Sequence, residues 1–329
     1  MQTRPTAILS AAVHLPHDTL SLDDILTAEM VNGASPAVAA LGFTGVHAFS
    51  GSNPTDMAVA VSRDAIEEAG LSPLDIDAVI DFSVMPQRYV EPAWSMSNEL
   101  QAELGAKNAF TLGFSGGGSA NLHTAIRFAS ALIATNDDVN TVLLAASDCA
   151  LPGNRVIGGD APVTLLGDAA SALVLARDGG RARVMDTGLA SRGAYHDLLY
   201  IPGGGMRHPT RLDLYRLVLD AARKGEVDPL ADLSSVVDTL LSRHGLAPDT
   251  IDHFVTTAIS DADLDAFDDR LGAGRRLVKP DASTRGHLHS SDLVFGLREL
   301  MAREDATGSA LLASHGHGFS CGATLITLS

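Results

Sequence analysis

One serine, Ser119, leaves a glycine-rich bend, "GFSGGGSANLH" from Gly113 to His123, just where a helical pattern begins. A serine hydroxyl is a poor nucleophile at neutral pH. It needs an adjacent base, normally an imidazole, and the base needs an orienting carboxylate. His287 follows Gly286 in "RGHLHSSD", and Asp292 lies five residues further on, in the first turn of a second predicted helix. These three residue types suit nucleophilic acyl transfer, with Asp292 holding the ring of His287 in the right tautomer. Helix N-termini add free N–H groups and a positive dipole end for a developing oxyanion. A second glycine-punctuated turn, "ASHGHGFSCG" (Ala313 to Gly322), places more donors around His317 and Gly318. The backbone N–H groups of Ser119 and His317 are therefore the expected oxyanion donors.

The same residues have plainer readings. A serine after three glycines also serves as a helix cap or turn residue. His287 with Asp292 is also what an exposed helix start with a favourable acid looks like. His315 and His317 fit a loop. With His287 and His289 they resemble a metal cluster, but no acid or cysteine at ligand spacing completes one. The glycine bend lacks the Lys-Ser or Lys-Thr of a P-loop, and no G-x-G-x-x-G with a following acid opens the chain. Ser115, before the glycines, ranks second to Ser119.

The elements that must position these residues belong to a 329-residue chain with 46% apolar content, enough for a large core or two packed halves. Its formal charge of −17 and lack of basic runs argue against a nucleic-acid partner. Two distant cysteines, Cys149 and Cys321, indicate a reducing compartment without disulfides. No signal peptide and no run of 18 apolar residues stands out, so a soluble cytoplasmic protein is expected.

The chain repeats itself. Gly70, Leu71, Pro73, Ile76 and Asp77 match Gly245, Leu246, Pro248, Ile251 and Asp252. Each copy follows a helical pattern and precedes a short apolar strand, "AVIDFSV" or "HFVTTAI". "NLHTAIRFASALIA" leads into "TVLLAAS" as "SDLVFGLRELMA" leads into "SALLAS", and each half closes on a small-residue strand. Three matches in one order predict a duplicated α/β unit with its seam near Arg177 to Arg181. Two halves packed about a pseudo-twofold would bring the helix starts at Ser119 and His287 to a common centre.

"LLGDAASALVLARD" (Leu165 to Asp178), "TVLLAASD", "LLYIPGGGMRHP" (Leu198 to Pro209) and "GHGFSCGATLI" together resemble the thiolase superfamily, in its β-ketoacyl-ACP synthase III-like branch. The likeness runs along nearly the whole chain. It implies a five-layered αβαβα sandwich of two thiolase-like halves, residues 1–178 carrying Ser119 and 179–329 carrying His287 and Asp292, usually as a homodimer. It implies no resident cofactor. The substrate would be an acyl-CoA or acyl-carrier-protein thioester, and the other partners a small-molecule acceptor and the carrier protein itself.

The departures from the family carry the functional expectation. Ser119 takes the place of the family's nucleophilic cysteine. Thr257 stands where the resemblance puts the catalytic histidine, and His287 stands where it puts the asparagine. The pattern is similar to that of ketosynthase III-like acyltransferases of natural-product pathways, here as a serine member. Losing two donors disfavours the enolate chemistry of condensation, since one oxyanion donor is typically worth about 10²–10³ in rate. A hydroxyl or amine acceptor needs a general base instead, which His287 with Asp292 can supply for Ser119 and then for the acceptor. The alternatives are a starter-unit condensing enzyme, a non-catalytic partner subunit of a heteromeric synthase, and a hydrolase. The acyl pocket is expected around Met85 to Trp94 and across the dimer seam, with Arg207 or Arg285 as candidate pantetheine contacts.

Overall fold

The computed structural model describes residues 6–29, 35–51, 53–89, 94–159, 161–220, 222–279, 281–316 and 319–329. Ten strands form one sheet. The first five are β1 (Thr6–His14), β2 (Ala78–Asp81), β3 (Phe110–Gly113), β4 (Thr141–Asp148) and β5 (Ala169–Ala176). The second five are β6 (Ala182–Ser191), β7 (His253–Val255), β8 (Leu277–Val278), β9 (Gly308–Gly316) and β10 (Ser320–Leu328). The spatial order is β8-β7-β9-β10-β6-β1-β5-β4-β2-β3. Read outward from the middle, each set of five runs first, last, fourth, second, third. Among the described residues the two sets are joined by the antiparallel pairing of β1 with β6, Thr6 opposite Val184 to Ile8 opposite Ala182.

Six longer helices cover this sheet: α1 (Pro54–Glu68), α2 (Met96–Leu104), α3 (Asn121–Thr135), α4 (Pro229–Ser242), α5 (Asp261–Leu271) and α6 (Ser291–Ala302). The sequence explains their starts. Asn53 caps α1 and Asp228 caps α4 by accepting backbone N–H bonds, and a proline follows each cap. The repeated glycines end the same helices. Gly70 and Gly245 have φ of 69° and 66°, left-handed values that a Cβ disfavours. The prolines after them, Pro73 and Pro248, each open a single 3-10 turn before the next strand.

Apolar spacing puts α3 and α6 in the middle. Leu122, Ile126, Ala129 and Ile133 of α3 and Leu293, Leu297 and Leu300 of α6 are fully buried in one cluster that draws on strands of both sets. Burying a side chain of this size stabilises by about 1.5–3 kcal/mol. Helices α1 and α2 form an outer layer on the first five strands, and α4 and α5 one on the second five. The layers are thus helix, sheet, helix, sheet, helix.

The opening stretch Thr6–His14 is an interior strand, a role that the sequence around His14 and Pro16 did not suggest. Helices α2 and α5, with the short parallel strands β3 and β8 after them, are additions to the repeat read from sequence. Among the described residues no helix is long and apolar enough to cross a membrane.

Candidate active site

Ser119 sits in a 3-10 turn, Gly118–Ala120, and α3 proper begins at Asn121. The glycines answer to geometry. Gly116 and Gly118 have φ of 86° and 55°, and Asn121 pins the bend by accepting from the Gly117 N–H at 2.9 Å. Asn121 also donates to the Ser83 carbonyl at 3.0 Å, so the turn is tied to the end of β2. Opposite, Gly316 of β9 lies so close to the Ser119 nitrogen that a Cβ there would collide with it.

The carbonyl of Ser119 is held from behind. Ser314 of β9 donates its hydroxyl to it at 3.2 Å, and Ser290, just before α6, reaches the carbonyls of Gly118 and Ser119 at 3.5 and 3.4 Å. Behind Ser314 stands His123, one turn along α3, with Nε2 3.2 Å from the Ser314 hydroxyl and Nδ1 2.8 Å from that of Thr324. Burial pushes the His123 ring down to about 3, so it stays neutral. Since Ser314 spends its proton on Ser119, His123 must donate from Nε2 and accept at Nδ1.

His287 arrives from the other half. Its N–H donates to the Leu165 carbonyl at 2.8 Å, and its own carbonyl accepts from Gly167 at 3.1 Å. Gly286 (φ 69°) and Gly167 allow that approach, because a Cβ on either would meet backbone. Its Nδ1 lies 2.7 Å from Asp292 Oδ2, which also accepts from the N–H groups of Leu288 (3.2 Å) and Ala258 (3.0 Å). The other oxygen, Oδ1, pairs with Arg285 Nη1 at 2.5 Å. Burial alone would raise the Asp292 carboxyl. Arg285 and His287 more than offset it and hold the group well below the usual carboxylate range. Asp292 is therefore ionised and fixes the tautomer of the neutral His287 ring, with the proton on Nδ1 and the lone pair on Nε2.

Ser119 and His287 line one cavity of about 500 Å³. Its walls are mostly apolar, with Ile157, Leu166, Leu198, Leu217 and Leu219 among them. The polar exceptions include His289, His315 and Asp263. His289 and Phe319, both on this cavity, have left-handed backbones with φ of 53° and 49°. For residues with a Cβ that is strained, and such strain gathers at functional sites. No direct hydrogen bond joins the Ser119 hydroxyl to His287.

Several expectations change. Arg285 cannot contact pantetheine at the surface, because it is 3% exposed and paired with Asp292. Arg207 is exposed and does not line the Ser119 cavity. The Met85–Tyr89 part of the expected acyl-pocket loop lines a different cavity of about 390 Å³, together with Ser115. Residues 90–93 of that loop lie outside the described residues, as do His317 and Gly318, so the second oxyanion donor has no described position. His315 is no loop residue; it is in β9, bound to Asp263 at 3.2 Å. Thr257 is fully buried with its hydroxyl unpartnered and does not line the cavity, so no imidazole reaches the cavity from that position.

No protein-family model matches the chain. The beta-ketoacyl-[acyl-carrier-protein] synthase III of Rhodospirillum rubrum is 27% identical over 293 residues, 85% of this chain and 86% of that one. Among solved structures, the priming β-ketosynthase of the R1128 polyketide biosynthetic pathway superposes with a TM-score of 0.82 at 23% identity, over 99% of this chain and 97% of that one. ChlB3, an acyltransferase, gives 0.82 at 19% identity over 98% of both chains. The fold is the thiolase fold in its ketosynthase III form. In this chain, whose fold is like that of ketosynthase III, Ser119 and His287 line one cavity, and His287, from the loop before α6, pairs with Asp292 in the first turn of that helix.

Proposed function

We propose that this ketosynthase III-like chain is an acyltransferase that carries its acyl group on Ser119. Nε2 of His287 takes the Ser119 proton as Oγ attacks the thioester carbonyl of an acyl-CoA or acyl-carrier-protein donor, and the acyl carbon–sulfur bond breaks to release the thiolate. The backbone N–H of Ser119 stabilises the oxyanion. The resulting ester is then attacked by a hydroxyl or amine acceptor.

The observation that supports this most is the ionised Asp292 on Nδ1 of His287, in the same cavity as Ser119. That arrangement makes the base that the Ser119 hydroxyl needs in order to attack a thioester. The apolar walls fit a pantetheine arm and an acyl chain. A homodimer would cover the outer edge of β3, where Phe110 is 44% exposed at the end of the sheet.

Carbon–carbon condensation is the second reading. It is favoured by His289, whose ring lies 5.0 Å from that of His287 and could donate to an enolate oxygen. Product analysis separates the two. Acyl-loaded enzyme is offered malonyl-carrier protein or a panel of small alcohols and amines. An ester or amide product is expected; a β-keto product without any ester or amide would assign the chain to condensation.

A further inference from the structure

A second histidine–carboxylate pair faces the same cavity. His315 Nε2 is 3.2 Å from Asp263 Oδ1, and the side chains are 14% and 19% exposed. His315 is in β9 and Asp263 in the first turn of α5, whereas His287 and Asp292 come from the loop before α6 and its first turn. His315 is also close to the reacting centre. Its neighbour Gly316 packs on the Ser119 backbone, and consecutive Cα atoms are about 3.8 Å apart. Strand alternation turns Ser314 towards the Ser119 carbonyl and His315 towards Asp263 of α5, and Ser119, His315 and Gly316 all line the cavity at the end of β9. Asp263 occupies Nε2, which leaves Nδ1 as a free acceptor in the neutral ring.

Given acyl transfer through Ser119 as above, we infer that His315, oriented by Asp263, is the cavity's second acid–base group and handles the proton of the substrate heteroatom. The two histidines divide the protons by owner. In the first half-reaction the Ser119 proton moves to His287 and stays there. The acyl carbon–sulfur bond breaks, and the leaving thiolate takes the Nδ1 proton of a His315 ring that enters the cycle protonated, which leaves that ring neutral with Nδ1 free. In the second half-reaction the acceptor oxygen or nitrogen bonds to the acyl carbon and gives its proton to Nδ1 of His315. The acyl carbon–Oγ bond breaks, and Oγ recovers the proton held on His287. Both rings return to their starting states.

The two uses of His315 differ in weight. A thiol with a pKa of about 8.5 leaves readily without an acid, whereas an alcohol attacks poorly without a base. Removing His315 should thus impair discharge far more than loading. The test follows the loss of the acyl group from pre-loaded enzyme by intact mass, first in water with glycerol, then with added hydroxylamine. Hydroxylamine attacks esters without base assistance and reports that the site is folded and open.

In His315→Asn the ratio of glycerol-and-water discharge to hydroxylamine discharge is expected to fall about 100-fold or more. Asp263→Asn should lower it in the same direction by less. An unchanged ratio in His315→Asn would overturn the assignment and leave His287 serving both steps. Failure of the wild-type protein to take up any acyl group is a different result, one that removes the Ser119 ester and this assignment with it.

Discussion

Both carboxylate oxygens of Asp292 are taken before any substrate arrives, one by His287 and one by Arg285. Replacing Asp292 therefore does two things. Asp292→Asn frees His287 to adopt the wrong tautomer, and it leaves the Arg285 charge buried without its counter-ion. The expected outcome is a fall of about 10²–10⁴ in the rate of Ser119 acylation together with a lower melting temperature, read by quenched-flow mass analysis and calorimetry. Acylation at the wild-type rate would remove Asp292 from the mechanism. The sequence made part of this site legible. A histidine five residues before an acid at a helix start is a local pattern, and so is a serine at the exit of a glycine bend. Arg285 and His315 were misread for one shared reason. Arg285 resembles a surface cation until Asp292 is placed beside it, and the partner of His315, Asp263, lies 52 positions away in sequence.

At the scale of elements, the ends of strands hold the site in place. Asp148 closes β4 and accepts the N–H groups of Val84 and Met85 through Oδ1, both at 2.7 Å, which anchors the chain as it leaves β2. Its other oxygen is buried and unpartnered, and burial pushes the carboxyl up to about 7. The unfolded value is about 4, so the folded state holds this proton more tightly. Stability from Asp148 is present at low pH and is lost as pH rises from about 4 towards 7. Asp148→Asn keeps the acceptor and cannot ionise. The melting temperature of Asp148→Asn minus that of wild type should grow between pH 5.5 and pH 8, and a difference that stays flat or shrinks would contradict the shift. Periodicity made the central helices readable, because Leu122, Ile126 and Ile133 recur at helical spacing. β1 was not readable, since its run of small and apolar residues ends at His14 and Pro16 and has no partner strand nearby in sequence. Its partners, β5 and β6, begin more than 150 residues later.

At the scale of the molecule, duplication was the most legible feature. The repeated glycine, leucine, proline, isoleucine and aspartate mark the same helix stop, 3-10 turn and strand in both halves. The repeat pointed to a common centre for Ser119 and His287, and what it could not show is what walls the cavity there. Ser119 comes from one half, His287 and His315 from the other, and the apolar walls from loops around Ile157, Leu198 and Leu217 that lie outside the repeat. The net charge of −17 says nothing about which donor enters. The central claim, that Ser119 carries the acyl group, is tested most directly by intact-protein mass measurement. Wild type and Ser119→Ala are each incubated with short acyl-CoAs and with the same acyl groups on a carrier protein. The wild-type protein should gain the mass of one acyl group, on a peptide containing Ser119, and the variant should gain none. An equal gain in Ser119→Ala, or no gain in wild type with either kind of donor, would contradict the claim.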